Sequence, residues 1–294
     1  MSENEKLLVN GSWIATKGDG SVLNEVEQIV PVLELQDIWD LFEKAAEAIQ
    51  TDLSYIREHG SSHMLSSTNQ LIGNDVFIEA GAKVEHVILN SETGPIYIGK
   101  DAEVMEGSVI RGPFVLGEQG VVKMSAKIYG PTVIGPYCKV GGEITNSVMQ
   151  AYSNKGHDGF MGNSVVGEWC NFGADTNTSN LKNNYSKLKI HSFETGEMEQ
   201  TDLLFCGVLM GDHSKTGINT MLNTGTTVGV SANVFDAGFP PKFIPSFSWG
   251  GRGETGTKFI LDKAFEVAEN MMKRRNVELT EGDKKILEHL YNAS

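Results

Sequence analysis

A 294-residue chain with 24 Lys and Arg against 38 Asp and Glu, net charge −14, can bury a sizeable core but lacks the positive footprint that nucleic acid or an anionic membrane requires. Any anionic substrate needs a local basic pocket. No run approaches the roughly 18 apolar residues of a membrane span, and the start MSENEKLLV lacks a signal peptide's basic and apolar regions, so a soluble cytoplasmic protein is expected.

In chain order, Leu7 to Ala15 predicts a hairpin about Asn10-Gly11, a dipeptide suited to a two-residue turn. Asp37 is placed to cap a helix over residues 38–57, whose apolar face carries Leu41, Phe42, Ala45 and Ile49. Ser and Gly enrichment over 58–70 predicts a linker. An aliphatic residue then recurs every six positions without a slip through Ile98, Val104, Ile110, Leu116, Val122, Ile128, Ile134 and Val140. Small residues follow four positions later at Ala102, Ser108, Ala126, Thr132 and Cys138. The same phase is read at Ile72, Ile78 and Val84, at Val166, Phe172 and Thr178, and at Met210, Thr216, Leu222, Val228 and Val234. The gaps between these blocks are expected to be loops extruded from one solenoid.

A six-residue period suits a short strand and a tight corner, with one inward aliphatic per side and three sides to a coil. Stacked coils pair their strands in parallel and cover each other's inward residues. Beyond the solenoid, Lys258 to Arg275 predicts a helix with Leu261, Phe265, Ala268 and Met272 on one face, Met271 and Met272 being packing residues. Thr280 and Asp283 predict the cap of a last helix ending near Tyr291. The expected organisation is an N-terminal hairpin, helix and linker over 1–70, a solenoid over 71–250 and a helical tail over 251–294.

The widely spaced Cys138, Cys170 and Cys206 form no metal pattern and read as small buried core residues. Gly251 to Gly256 satisfies GxGxxG, but no apolar strand leads into it and it reads as a loop. His213 sits at a coil corner, where it is a candidate to line the cleft, although an exposed side chain is the commoner state. The segment SNKGHDGFMGN sets His157 between Gly156 and Asp158. A histidine on a glycine-flanked loop against a rigid scaffold suits proton removal, its unperturbed pKa lying near about 6.5. From the residues alone, a plain surface histidine is an equally good reading.

The stretch HDGFMGNSVVGEWCNFGADTNTSN resembles the acetyltransferase half of the bifunctional UDP-N-acetylglucosamine pyrophosphorylase/glucosamine-1-phosphate N-acetyltransferase family. The runs NSETGPIYIGKDAEVMEGSVIRGP, SNKGHDGFMGNSVVGEWCNFGADTNTSNLKNNY and MGDHSKTGINTMLNTGT resemble more closely the Bacteroidetes-type sugar nucleotidyltransferase/acetyltransferases, whose connector the IWDLF helix also resembles. No glycine-rich nucleotide loop with a signature Arg and Lys occurs in the first seventy residues, so only the acyltransferase half is expected. The resemblance implies an all-β solenoid, a left-handed parallel β-helix of hexapeptide repeats flanked by the N-terminal hairpin-helix segment and C-terminal helices. It implies transfer of an acetyl group from acetyl-CoA to an amino sugar phosphate or nucleotide sugar, a cell-envelope precursor, in a homotrimer with Lys and Asn contributed across the interface.

By the same resemblance His157 falls on the catalytic base and Asn180 on an asparagine that holds the base or the amine, while Asn171, Lys187 and Lys127 fall at or near substrate-binding positions. Ala174, Asp212 and Thr224 fall on positions that meet acetyl-CoA, and a backbone N–H near Gly173-Ala174 would hold the oxyanion. Lys187 and Lys127 read equally well as solvated surface lysines. The chain departs from the family's pattern at Phe160, where it has a tyrosine, at Leu181 after Asn180, and at Asp212, where it has a serine. These changes bear on the acceptor more than on the reaction type. No metal is expected. A γ-type carbonic anhydrase, built on the same solenoid, needs a close histidine set that His86, His157, His191 and His213 do not form, and His59 and His63 precede the coils. A non-catalytic scaffold or nucleotide-sugar-binding protein is the other alternative.

Overall fold

The structure, a computed structural model, describes residues Glu5–Val9, Ser12–Thr16, 35–250 and 256–294. The GxGxxG segment lies outside the described residues except for Gly256. Two compact units divide the chain, residues 1–36 and residues 37–294. In the first, Glu5–Val9 and Ser12–Thr16 pair antiparallel with Val9 opposite Ser12, the register that a turn at Asn10-Gly11 predicts.

In the second unit the chain winds through three parallel sheets, the three faces of a β-helix. The first face has eight strands, from Gln70–Ile72 to Met221–Leu222, and the second has nine, from Val76–Ile78 to Phe243–Ile244. The third begins with five strands, Lys83–Val84 to Asn154–Lys155. A single bridging residue, Asn171, joins these to the strand Lys215–Thr216 and the strands beyond it. Each coil visits the faces in this order, so it has a first corner between first and second faces, a second corner, and a third corner returning to the first face.

Register explains the six-residue period. Ile98, Leu116 and Ile134 face one another on the second face, as Ile110 and Ile128 do on the first and Val104, Val122 and Val140 on the third. All are at most 2% exposed. Each buried aliphatic is worth about 1.5–3 kcal/mol, but only because the next coil covers it. The small residues Ala102, Ser108, Ala126, Thr132 and Cys138 are fully buried at the corners. All three cysteines are buried and free.

Several expectations need correction. Ile72 is not an inward residue: Leu71 faces the buried Leu89, whereas Ile72 faces Asn90 on the outer side. The gap from Val140 to Val166 is not an extruded loop, because strands at Glu143–Thr145, Val148–Met149, Asn154–Lys155 and Phe160–Gly162 continue the coils. The period is lost there because the coil shortens. The chain runs from Ile134 to its partner Met149, and from Ile144 to Met161, in fewer steps than from Ile110 to Ile128. The gap from Val84 to Ile98 likewise holds strands, whereas residues 179–207 do leave the solenoid, carrying a hairpin of Lys189–His191 with Met198–Gln200.

The third correction concerns the N-terminal helix, which is broken at Lys44 into α1, Asp40–Glu43, and α2, Ala45–His59. Asp37 does not cap it. Its backbone N–H instead donates to Asp40 Oδ2 at 3.4 Å, and the same carboxylate takes Lys44 Nζ at 3.0 Å. Ile49 and Leu53 pack with Phe77, backed by Tyr97, Val115 and Val133, against the outer side of the second face. Phe42 joins Val165 and Leu209 with Leu188, Ile190, Leu203 and Cys206 of the excursion.

Helices α3, Leu261–Lys273, and α4, Glu281–Ala293, follow the expected pattern, with a full capping box between Thr280 and Asp283. Ala264, Ala268, Met272 and Leu287 pack with Trp169 and Phe247. Here an aromatic column climbs the second corner: Tyr137 on Tyr152 at 5.0 Å between ring centres, Tyr152 on Trp169 at 4.1 Å and Trp169 on His213 at 6.4 Å. His213 is thus buried rather than exposed, and burial pushes its pKa down to about 4.

Candidate functional site

On the third face, the residue after each inward one points outward. In successive coils these residues are Lys123, Gly141, Gly156, Gly173, Gly217 and Phe235, in the register set by Val122, Val140, Lys155, Phe172, Thr216 and Val234. A Cβ on Gly141 would lie 2.8 Å from the Gly156 carbonyl oxygen, and one on Gly173 would run into the Gly217 carbonyl oxygen. Close stacking of coils therefore requires glycine here and leaves a bare strip of backbone. At Gly156 nothing stands within 4 Å of where a Cβ would sit, so the strip is open there.

His157 follows Gly156 at the third corner, and its side chain is exposed. Its turn is held from inside. Lys155 occupies the inward column next to Val140, is 2% exposed, and turns its ammonium to donate to the carbonyls of His157 at 2.9 Å and Gly141 at 3.3 Å. Burial lowers its pKa to about 8, against the opposing pull of Asp158 and Asp175. The strip's neighbours within the strands are Lys139, Asn154, Asn171, Lys215 and Asn233. Asn154 Oδ1 is buried without a hydrogen-bond partner among the described residues. Lys215 Nζ donates to the His213 carbonyl at 2.6 Å, and burial takes its pKa to about 8 as well.

The structure gathers some of the expected residues and separates others. Asn171 sits beside Asn154 on the third face, and Ala174 falls in register with His157 at the following corner, one coil on. Gly173 N–H is already taken by the Thr216 carbonyl at 3.1 Å and Oγ1 at 3.0 Å, so Ala174 N–H is the donor left for an oxyanion. Lys127 stands on the first face two strands from Phe160, its ammonium 3.5 Å from Glu143. Asn180 lies at the first corner and donates to Asn163 Oδ1 at 2.8 Å. Thr224 is buried at the first corner of a later coil, its N–H on Asn223 Oδ1 at 2.8 Å. Asp212 is at a second corner, where its Oδ1 accepts from Glu168 N–H at 2.8 Å. Lys187 belongs to the excursion and pairs with Asp202.

Sequence reasoning missed Lys155, Lys215 and Asn154. A lysine one shortened coil after Val140 could have signalled the first, had the shortening been seen. Asn180 carried a signal of its own, since Asn146, Asn163 and Asn180 recur at equal spacing in TNS, GNS and SNL. A cleft of about 630 Å³ opens elsewhere, at the first coils, lined among others by Glu79, Glu85, Glu103 and Glu106, a poor setting for an anionic ligand. Among the described residues no three His, Cys, Asp or Glu side chains converge as a metal site.

No protein-family model matches the chain. It is 34% identical over 87 residues, 30% of its length, to the bifunctional protein GlmU of Methanocaldococcus jannaschii, of which the match covers 21%. It is 33% identical over 144 residues, 48% of its length, to a bifunctional sugar-1-phosphate nucleotidylyltransferase/acetyltransferase of Sulfurisphaera tokodaii, of which the match covers 35%. The chain thus spans between a fifth and about a third of these curated relatives. Among solved structures, a hexapeptide transferase family protein from Anaplasma phagocytophilum is 14% identical with a TM-score of 0.34, covering 75% of this chain and 92% of that one. The polysialic acid O-acetyltransferase OatWY is 17% identical with a TM-score of 0.29, covering 67% and 93%. At these scores neither carries an argument, and the solenoid rests on its own registers.

Proposed function

We propose that this chain is an acyltransferase that moves an acetyl group from acetyl-CoA to the amine of an amino sugar phosphate, with His157 as general base. The observation that carries this reading is the third corner: an exposed imidazole, clamped through its own carbonyl by the buried Lys155, beside a strip of backbone kept bare by glycine. Partial relatives that include a sugar-1-phosphate acetyltransferase support the same chemistry.

In this reading His157 removes the proton that the attacking nitrogen must lose, and the nitrogen closes on the thioester carbonyl. Ala174 N–H receives the oxyanion, and the thiolate leaves as CoA. The glycine strip takes the thioester arm, because there an extended chain can lie against backbone beside His157. Asn180 and Thr224 lie a full side of the coil from His157 in their own chain, about 10 Å for a three-residue strand at about 3.3 Å per residue. A homotrimer that sets another copy against the third corner supplies such groups from the neighbour, and the exposed Met124 and Ile218 give that contact apolar surface.

The test is thiol release from acetyl-CoA with a panel of amino sugar phosphates and nucleotide sugars, wild type against His157→Ala. Turnover on at least one acceptor, lost in the variant, is expected. Turnover indifferent to the substitution removes His157 from the base role, and no turnover on any acceptor defeats the transferase reading.

A further inference from the structure

Lys127 and Lys187 are each matched by a carboxylate of their own chain. Another set of cations is not. Lys139 stands outward on the third face between Val121 and Asn154, one strand from the coil that leads to His157. Lys123 ends the glycine strip: its Cβ is 3.1 Å from where a Cβ on Gly141 would lie. The turn after α3 brings in Arg274 and Arg275. Arg275 N–H donates to the Met272 carbonyl at 2.9 Å, and Met272 is buried against the second corner with Trp169 and the half-buried Tyr152.

Three of these charges act on the fourth, Lys139. Burial first, then Arg275, Lys123 and Arg274, depress the Lys139 ammonium, with only Glu103 opposing, and the charge of Arg275 also reaches Cys138 and Tyr152. None of the four makes an ion pair among the described residues, in a chain whose acids outnumber its bases by 14. Like charges so gathered repel; Glu103, and Glu168 beside Cys138 and Tyr152, offset them in part, and an anion placed among them adds to that compensation.

We propose that Lys123, Lys139, Arg274 and Arg275 form a phosphate-binding site, taking the phosphate or diphosphate of a ligand whose other end reaches Gly156 and His157. The guanidinium forks suit paired phosphate oxygens, and the lysines add point charge. The span fits: one strand spacing and three residues along the chain separate Lys139 from His157, roughly 11 Å between Cα atoms, and a lysine side chain covers about half of that. The identity of the reacting end rests on the acyl-transfer reading; the phosphate site does not. Two ligands carry this chemistry, the phosphorylated acceptor and acetyl-CoA.

The experiment titrates inorganic pyrophosphate into the full chain by calorimetry. Wild type is compared with Lys139→Gln, Arg275→Gln, Arg274→Gln at an exposed position, and the control Lys263→Gln, whose ammonium pairs with Glu266 on α3. Salt-sensitive binding is expected, weakened at least tenfold by Lys139→Gln or Arg275→Gln, several-fold by Arg274→Gln and less than twofold in the control. Thermal melts identify any variant that loses binding through misfolding, and the exposed Arg274→Gln keeps the test open in that case. Absence of pyrophosphate binding by wild type, or equal binding by every variant, overturns the site. In turnover, a raised KM for the phosphorylated acceptor in Arg274→Gln assigns the site to the acceptor, and a raised KM for acetyl-CoA assigns it to the donor. Variant-sensitive pyrophosphate binding by a wild type without transferase activity sinks the acyl-transfer reading and leaves the phosphate site standing.

Discussion

The coils over residues 96–140 and those over residues 141–178 pass through the same three faces but are built to different rules. In the first group each coil is three full repeats long, every member of the six-residue inward series is aliphatic, and the outward strand positions are mixed. In the second the coil falls short of that length, Lys155 and Thr178 enter the inward columns, and Gly141, Gly156 and Gly173 replace outward side chains. The regular coils gain their stability by repetition. The irregular ones bury polar groups that must be individually hydrogen-bonded, and they tolerate this because regular coils are stacked directly beneath them. The open stretch of backbone at Gly156 and the exposed His157 occur where the repetition is broken.

The largest effect expected from breaking this contrast is on activity. His157→Ala should lower thiol release from acetyl-CoA by about 10²–10⁴-fold, the usual worth of a general base, while leaving the melting temperature nearly unchanged. In the regular coils the order reverses: Ile128→Ala, deep in the first-face column, should cost about 2–5 kcal/mol in denaturant unfolding. A cost well under about 1 kcal/mol would mean that these coils are not the stable half.

Lys155→Met sharpens the comparison through pH. Burial lowers the folded-state pKa to about 8 from 10.5, so between those values the unfolded chain binds more proton and stability rises with pH. Below about pH 8 the lysine is charged in both states, and the contribution is flat. The wild type should therefore gain about 3 kcal/mol more than Lys155→Met between pH 8 and 10.5, at about 1.4 kcal/mol per unit. Parallel curves would show that Lys155 is not buried as a charged group.

The smallest effect is expected at the first corner. Asn163 has φ of +46° and accepts from Asn180. Asn163→Ala should cost about 1–2 kcal/mol, combining the left-handed backbone penalty with the lost hydrogen bond, and Asn163→Gly should recover about half by relieving the backbone. If Gly is as costly as Ala, the hydrogen bond alone accounts for the loss.

Much of this was legible before any coordinates. The unbroken aliphatic series gave the coil, Thr280 and Asp283 gave their capping box, and His157 stood out by its glycine neighbours. Of the residues grouped with it, Ala174 falls in register with it one coil on, and Asn171 stands beside Asn154. What escaped had no local signature. Lys155 was hidden by the shortened coil, which moved the phase before the lysine was reached. Tyr137, Tyr152, Trp169 and His213 all adopt left-handed backbone at corners, a conformation their residue types do not advertise. Arg274 and Arg275 lie far from Lys139 along the chain, and only the docking of α3 on the second corner brings them near it.

By itself the sequence determined that there would be a solenoid, because the inward or outward sense of a strand residue is set by its immediate neighbours and recurs with them. It could not determine what stands beside what. Each shortening of a coil moves every later residue relative to the coil beneath it, and contacts between coils follow from the summed lengths rather than from any local pattern. The lysine beneath His157, the open glycine strip and the unmatched cations at its end were decided by stacking alone.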